Sequence, residues 1–95
     1  MILVGRLSLK AFSEKHPVTR RRLEAWSREV KVGTWQTPHD VKARYPRASV
    51  LPGDRLVFDI GQAFRLGVQM NYATGLVVVR RVGTHEEYES WGDAW

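Results

Sequence analysis

The chain contains no cysteine, which removes thiol nucleophiles, disulfide frameworks and cysteine-ligated metals from consideration. It has no long apolar run either: Met1 to Val4 is interrupted by Gly5-Arg6, far short of a signal-peptide core or a membrane span. There is no phosphate-cradling glycine loop, no Gly-x-Ser-x-Gly elbow and no histidine pair at metal-ligand spacing. Covalent and metal-dependent chemistries are therefore poor expectations, and no cofactor and no metal are expected. Internal repeats, low-complexity tracts and linkers are lacking as well, so residues 1–95 are expected to form one domain, intracellular, cytoplasmic and without a membrane partner.

What the chain does have is positive charge and aromatic rings. The net charge is +5, with 43% hydrophobic residues and four Trp. Residues 1–50 carry eleven Lys/Arg against four Asp/Glu, and residues 51–95 carry four against six. A small basic protein is drawn to polyanions, most simply nucleic acid, and an acidic partner protein also fits.

The stretch from Ala63 to Trp91 holds most of the side chains with chemical potential. Phe64, Leu66, Val68, Met70 and Tyr72 alternate with Arg65, Gly67, Gln69 and Asn71, the pattern of a half-buried strand. Thr74-Gly75 offers a tight reversal before the β-branched run Leu76 to Val82, so a hairpin is expected. With those two residues as the loop, Tyr72 faces Val77, Arg80 faces Gln69, and Arg80 shares the polar face of Arg65. A three-residue loop would place Arg81 outside instead of Arg80. Next, Thr84 and Glu87 have the spacing of a capping box, which starts a helix carrying His85 and Tyr88 on one face.

Upstream, Ile2 to Val4 reads as a short strand, and Ser8 reads as the cap of a helix that His16-Pro17 ends; His16 is then a boundary residue. Leu23, Trp26, Ser27 and Val30 form a narrow stripe on a helix from about Val18 to Lys31, which makes Trp26 a core residue. On that helix Arg20, Arg21 and Arg22 either grip RNA phosphates or form a solvated face, two readings of equal standing. Thr37-Pro38 starts a short helix ending near Tyr45-Pro46 that carries Lys42, which by itself reads as a solubilising surface lysine. Trp35 and Tyr45 are read as core or rim, and His39 has no evident partner. Ser49 to Leu51 extends, Pro52-Gly53-Asp54 turns, and Arg55 to Ile60 alternates as a further strand. The elements describe an α+β domain: a small antiparallel β-sheet with N-terminal helices packed on one face, a short C-terminal helix, and the other face open to a ligand.

The run FRLGVQMNYATGLVVVRRVGTHEEYESW resembles the C-terminal half of HigB-type toxins of bacterial type II toxin–antitoxin systems, and DVKARYPRAS and SLKAFSEKHP resemble their central and N-terminal segments. VGTHEEY is the most specific part. The resemblance implies a RelE-like fold, an mRNA interferase that cuts within translating ribosomes, and inhibition by a cognate antitoxin, usually a helix-turn-helix protein of the HigA type. For Lys42 the resemblance implies a phosphate contact, the alternative to a merely solubilising role. It also departs in places: Gly67 and Gln69 are unexpected on their strand, and the chain lacks the basic tail seen in some relatives.

Cations beside one imidazole and one phenol suit metal-independent endoribonuclease chemistry, since RNA supplies its own 2′-hydroxyl nucleophile. Such cleavage needs a base for the 2′-hydroxyl, charge neutralisation at phosphorus, and an acid for the departing 5′-oxygen. Arg65 and Arg80 suit a bidentate clamp on phosphate, His85 a proton carrier, and Tyr88 an orienting or proton-sharing group. The alternatives are an ion pair of the arginines with Asp59 or Glu86, a backbone-bound His85 and a core Tyr88. Glu86, Glu87, Glu89 and Asp93 would repel phosphate unless turned outward. A non-catalytic RNA-binding module is the competing function, and DNA binding is weaker because no basic helix has helix-turn-helix spacing.

Overall fold

A computed structural model describes residues 1–92 and 95. Five strands form one sheet in the order β1-β5-β4-β3-β2, with β1 at Ile2–Val4, β2 at Ser49–Leu51, β3 at Arg55–Ile60, β4 at Phe64–Asn71 and β5 at Leu76–Thr84. Four of them pair antiparallel as expected, but β1 joins the edge parallel to β5, Ile2 beside Leu76 and Val4 beside Val78, so the sheet is mixed. A parallel neighbour requires a long crossover, and the whole helical segment between β1 and β2 supplies it.

Helices α1 (Arg6–Lys15) and α2 (Arg20–Val32), joined by a 3-10 turn at Pro17–Thr19, and the short α3 (Pro38–Arg44) belong to that segment. Each starts or stops for a local reason. Pro17 forces His16 out of helical geometry and ends α1. Thr37 Oγ1 accepts the Asp40 N–H at 3.2 Å while Pro38 occupies the first helical position, the predicted start of α3. Ser8 is not the cap of α1. That helix begins three residues earlier, after Gly5, whose φ of 100° favours glycine and whose added Cβ would lie 2.8 Å from Val79 Cβ on β5. A close approach to a distant strand, invisible in local pattern, fixes this boundary.

The core lies between helices and sheet. Leu23, Trp26 and Val30 of α2, Leu9 of α1 and Val41 of α3 bury against Leu56, Phe58, Ile60, Leu66, Val68, Met70 and Val77. Trp26 meets Phe58 edge-on at 5.4 Å between centroids, and Phe58 meets Tyr45 at 5.2 Å. Trp35 and Tyr45 are half-buried at the rim of this core, as read from the sequence. The Tyr45 hydroxyl donates to Glu29, and burial together with that carboxylate pushes the phenol's pKa well above its ordinary value.

The hairpin register differs from the expected one. Asn71 faces Leu76 and Met70 faces Val77, so the loop has four residues, Tyr72 to Gly75. Gln69 thus faces Val78, with Arg80 further along β5. The pairing then slips: Val68 faces Val79, but Gly67 faces Arg81, leaving Arg80 as the extra residue of a β-bulge.

Candidate functional site

The bulge decides where the cations of β5 point. Val79 and Val82 both pack towards the core, while Arg80 and Arg81 between them are both exposed. A regular strand would send these neighbours to opposite faces; with the bulge both serve the face away from the helices. Arg80 Nη1 donates to Gln69 Oε1 at 3.3 Å, and Arg81 Nη1 to the Arg80 carbonyl at 3.0 Å. The sequence offered one arginine or the other, and the fold presents the pair.

Arg65 lies on the same face but is engaged. It stands directly opposite Asp59 across the β3–β4 pair, its Nε lies 3.2 Å from Asp59 Oδ1, and its Nη1 donates to the carbonyls of Gln62 and Phe64 at 3.0 and 2.8 Å. Only 14% of its side chain is exposed. The ion pair with Asp59, anticipated as the alternative to a phosphate clamp, is therefore formed, and Arg65 holds the β3–β4 turn together. Gly67 and Gln69, odd in a strand, now have reasons. An added Cβ at Gly67 would lie 2.8 Å from the Trp95 ring, and Gln69 accepts from Arg80.

At the far end of β5, α4 (His85–Glu89) begins as its capping box predicts. The Thr84 N–H donates to Glu87 Oε1 at 2.9 Å and the Glu87 N–H to Thr84 Oγ1 at 3.1 Å. Hydrogen bonds to the carboxyl from the Thr84 backbone N–H first and the Thr84 side chain second, ahead of the nearby Lys15 and His16 side chains, hold Glu87 below its ordinary pKa. The His85 N–H donates to the Ala63 carbonyl at 2.7 Å, and its Nε2 lies 3.1 Å from Glu89 Oε1. Tyr88 follows at 6.2 Å between ring centroids, half-buried, and leads to Trp91 at 5.3 Å and from there to Trp95 at 6.1 Å. Arg55 lies over the Trp95 ring at 5.2 Å. This aromatic series covers part of the sheet face that was expected to stay open. Asp93, one of the acidic residues weighed against phosphate binding, lies outside the described residues.

His85 and Tyr88 are thus neighbours, as expected, but Arg80 is not beside them. Four residues, Arg81 to Thr84, lie between Arg80 and His85, about 16 Å of chain at about 3.3 Å per step. His85 instead lines a hollow of about 410 Å³ with Thr84, Glu86, Gln62, Phe64 and His16. The basic triplet is dispersed around α2. Arg20 faces the α1–α2 groove and lies 3.6 Å from Glu24, Arg21 is exposed, and Arg22 borders the β3–β4 turn around Gly61. Lys42 and His39 are exposed on α3. His16, read from sequence as a boundary residue alone, is the one whose position beside His85 sequence reasoning missed. No signal within the chain connects two histidines so far apart in sequence. Among the described residues, no group of three or more His, Asp and Glu is placed to hold a metal, and no helix is long and apolar enough to cross a membrane.

A mixed sheet backed by N-terminal helices on one face and closed by a short C-terminal helix defines a small α+β domain of the RelE-like kind. The chain belongs to the HigB_toxin family, described as the RelE-like toxic component of a toxin-antitoxin system, whose family model matches residues 19–91. It is a toxin of that type, and the family implies an antitoxin as its partner. A comparison with curated proteins gives no match.

Proposed function

We propose that this toxin is an mRNA interferase, a metal-independent endoribonuclease that cuts mRNA on translating ribosomes in the cytoplasm through attack of the RNA's own 2′-hydroxyl. The observation that carries the reading is the pairing of two exposed guanidinium groups, Arg80 and Arg81, on one sheet face with an accessible imidazole, His85, at the end of the same strand. Arg80 grips the RNA backbone, His85 carries a proton, and Tyr88, next to His85, orients the nucleotide. Arg65 acts through the turn it braces. Lys42 and the exposed members of the Arg20, Arg21 and Arg22 triplet add phosphate contacts that position RNA without cutting it. A helix-turn-helix antitoxin of the HigA type holds the toxin inactive.

Mapping RNA 5′ ends after brief induction tests this reading. Cuts within translated messages are expected, and they are expected to disappear with His85→Ala in a folded variant. The engaged state of Arg65 favours one competing reading, a non-catalytic RNA-binding module on the same scaffold. That reading is supported instead if the wild type binds RNA and leaves it intact.

A further inference from the structure

The hollow at the ends of β4 and β5 brings together groups from three separate parts of the chain. His85 enters from the first turn of α4, and His16 enters from the junction that ends α1. Phe64 lines the hollow as well, its ring centroid 5.3 Å from His16, and Phe12 lies 4.5 Å from the same imidazole and 5.8 Å from Phe64, so the three rings form one cluster. An adjoining depression shares Gln62 and Phe64 with this hollow and is bordered by Arg22 from the start of α2. Arg22 makes no ion pair among the described residues, and its guanidinium approaches the turn at Gly61, where the nearest atom to an added Cβ would be Arg22 Nε at 3.5 Å. Two imidazoles and the Phe64 ring in the hollow, and a cation with no ion pair among the described residues in the depression beside it, thus line a trough of two parts that meet at Gln62 and Phe64.

We infer that this trough binds the nucleotide at the scissile phosphate, and that His16 is a second catalytic histidine acting with His85. The inference rests on the RNA-cleaving reading above and moves its chemistry from the arginine face to the strand ends. Two imidazoles are what the reaction needs, because one proton must leave the 2′-oxygen as another reaches the 5′-oxygen. His85 has Glu89 within 3.1 Å of its Nε2, a carboxylate able to hold an imidazolium, and suits the proton donor. His16 packs against two apolar rings, Phe12 and Phe64, which favour its neutral form, and suits the acceptor.

The step balances. His16 takes the 2′-hydroxyl proton, the 2′-oxygen bonds to phosphorus, the bond from phosphorus to the 5′-oxygen breaks, and His85 protonates that oxygen. The products are a 2′,3′-cyclic phosphate and a 5′-hydroxyl. Arg22 neutralises the non-bridging oxygens, and Phe64 stacks on the base. Glu86 also lines the hollow, and Lys15, Glu87 and Glu89 stand near it, so the phosphate belongs at the Arg22 side, away from the carboxylates.

Two measurements separate this inference from the function it rests on. The first titrates the wild-type protein with adenosine 3′-monophosphate while following the histidine ring resonances. Shifts at both His16 and His85, with affinity reduced about tenfold in Arg22→Ala, support the site; a response confined to the Arg80 and Arg81 face overturns it, whether or not RNA is cut. The second compares cleavage by His16→Phe, which keeps the ring contacts and lacks the nitrogen, with His85→Ala. Each is expected to lose about a hundredfold or more. A substrate carrying sulfur at the 5′-bridging position, whose thiolate leaves without a proton, is expected to rescue His85→Ala and not His16→Phe. Wild-type cleavage in His16→Phe, or rescue of both variants, overturns the assignment of His16. An inert wild type that still binds the nucleotide at both imidazoles overturns the nuclease reading and the proton roles together, leaving the binding site intact.

Discussion

On the side of the sheet turned to the helices, Leu56, Phe58, Leu66, Val68, Met70 and Val77 are all buried, and the rings that meet Phe58 edge-on are Trp26 of α2 and Tyr45 at the end of α3. On the other side the same strands present Arg55, Asp59, Arg65, Gln69, Arg80 and Arg81, with Val57 and Trp95 as a small buried apolar patch apart from the main core. The first side is held by area removed from water, which tolerates little loss of volume. The second is held by directed contacts: an ion pair, bonds to carbonyls and ring-on-ring packing. A sheet of this size can leave cations exposed on one face because the other face alone supplies its core.

The largest effect should come from the helix side. Trp26→Ala removes a ring that is 2% exposed and packed on Phe58, and it is expected to cost about 3–5 kcal/mol in urea unfolding. A smaller loss would mean that the second face carries more of the stability than its composition suggests. Gly67→Ala probes that second face. Its new Cβ would lie 2.8 Å from Trp95, so the ring must move, at a cost of about 1–3 kcal/mol, with Trp95 becoming accessible to quenchers of fluorescence. Unchanged quenching would show that the ring does not depend on the missing side chain.

Next in size, Thr84→Ala removes one half of the capping box at the junction of the two sides and is expected to cost about 1 kcal/mol. The same bonds carry a pH signature. Because the Glu87 carboxyl is held below its ordinary value in the folded protein, their contribution is present above the unfolded carboxylate pKa and is lost as pH falls through the lower folded value. Thr84→Ala removes the side-chain bond and keeps the backbone N–H bond, so acid titration of stability should be somewhat shallower than in the wild type; superimposable curves would show that the side-chain bond carries none of the linkage. Smallest for the fold is the double change Arg80→Ala with Arg81→Ala, expected within about 0.5 kcal/mol of wild type. Its effect belongs to binding: the slope of log affinity for single-stranded RNA against log salt should shrink by about 1 to 2. A stability loss with no change in that slope would make the bulge a structural device alone.

Much of this was legible along the chain. Alternation at Phe64 to Tyr72 placed β4, the Leu23, Trp26 and Val30 stripe placed the buried side of α2, and Thr84 with Glu87 placed the start of α4 to the residue. The expected register was off because loop length is set by more than its glycine. Asn71 Oδ1 accepts the N–H groups of Ala73 and Thr74 at 3.0 and 3.1 Å and stabilises the longer turn. The arginine assignments moved for a related reason: Arg65 meets Asp59 only once β3 and β4 are in register, and Arg80 and Arg81 share a face only once β5 bulges.

The amino-acid order by itself determined the caps of α3 and α4, the breaks at proline and the polar and apolar sides of most elements, since each of these is decided within a turn or two of chain. Tertiary structure alone decided that His16 and His85 line one hollow, that Arg22 borders the depression next to it, that Arg65 is engaged and that Trp95 covers Gly67. Those pairings join residues far apart in sequence, and what selects them is how the helices seat on the sheet and where one strand slips against the next.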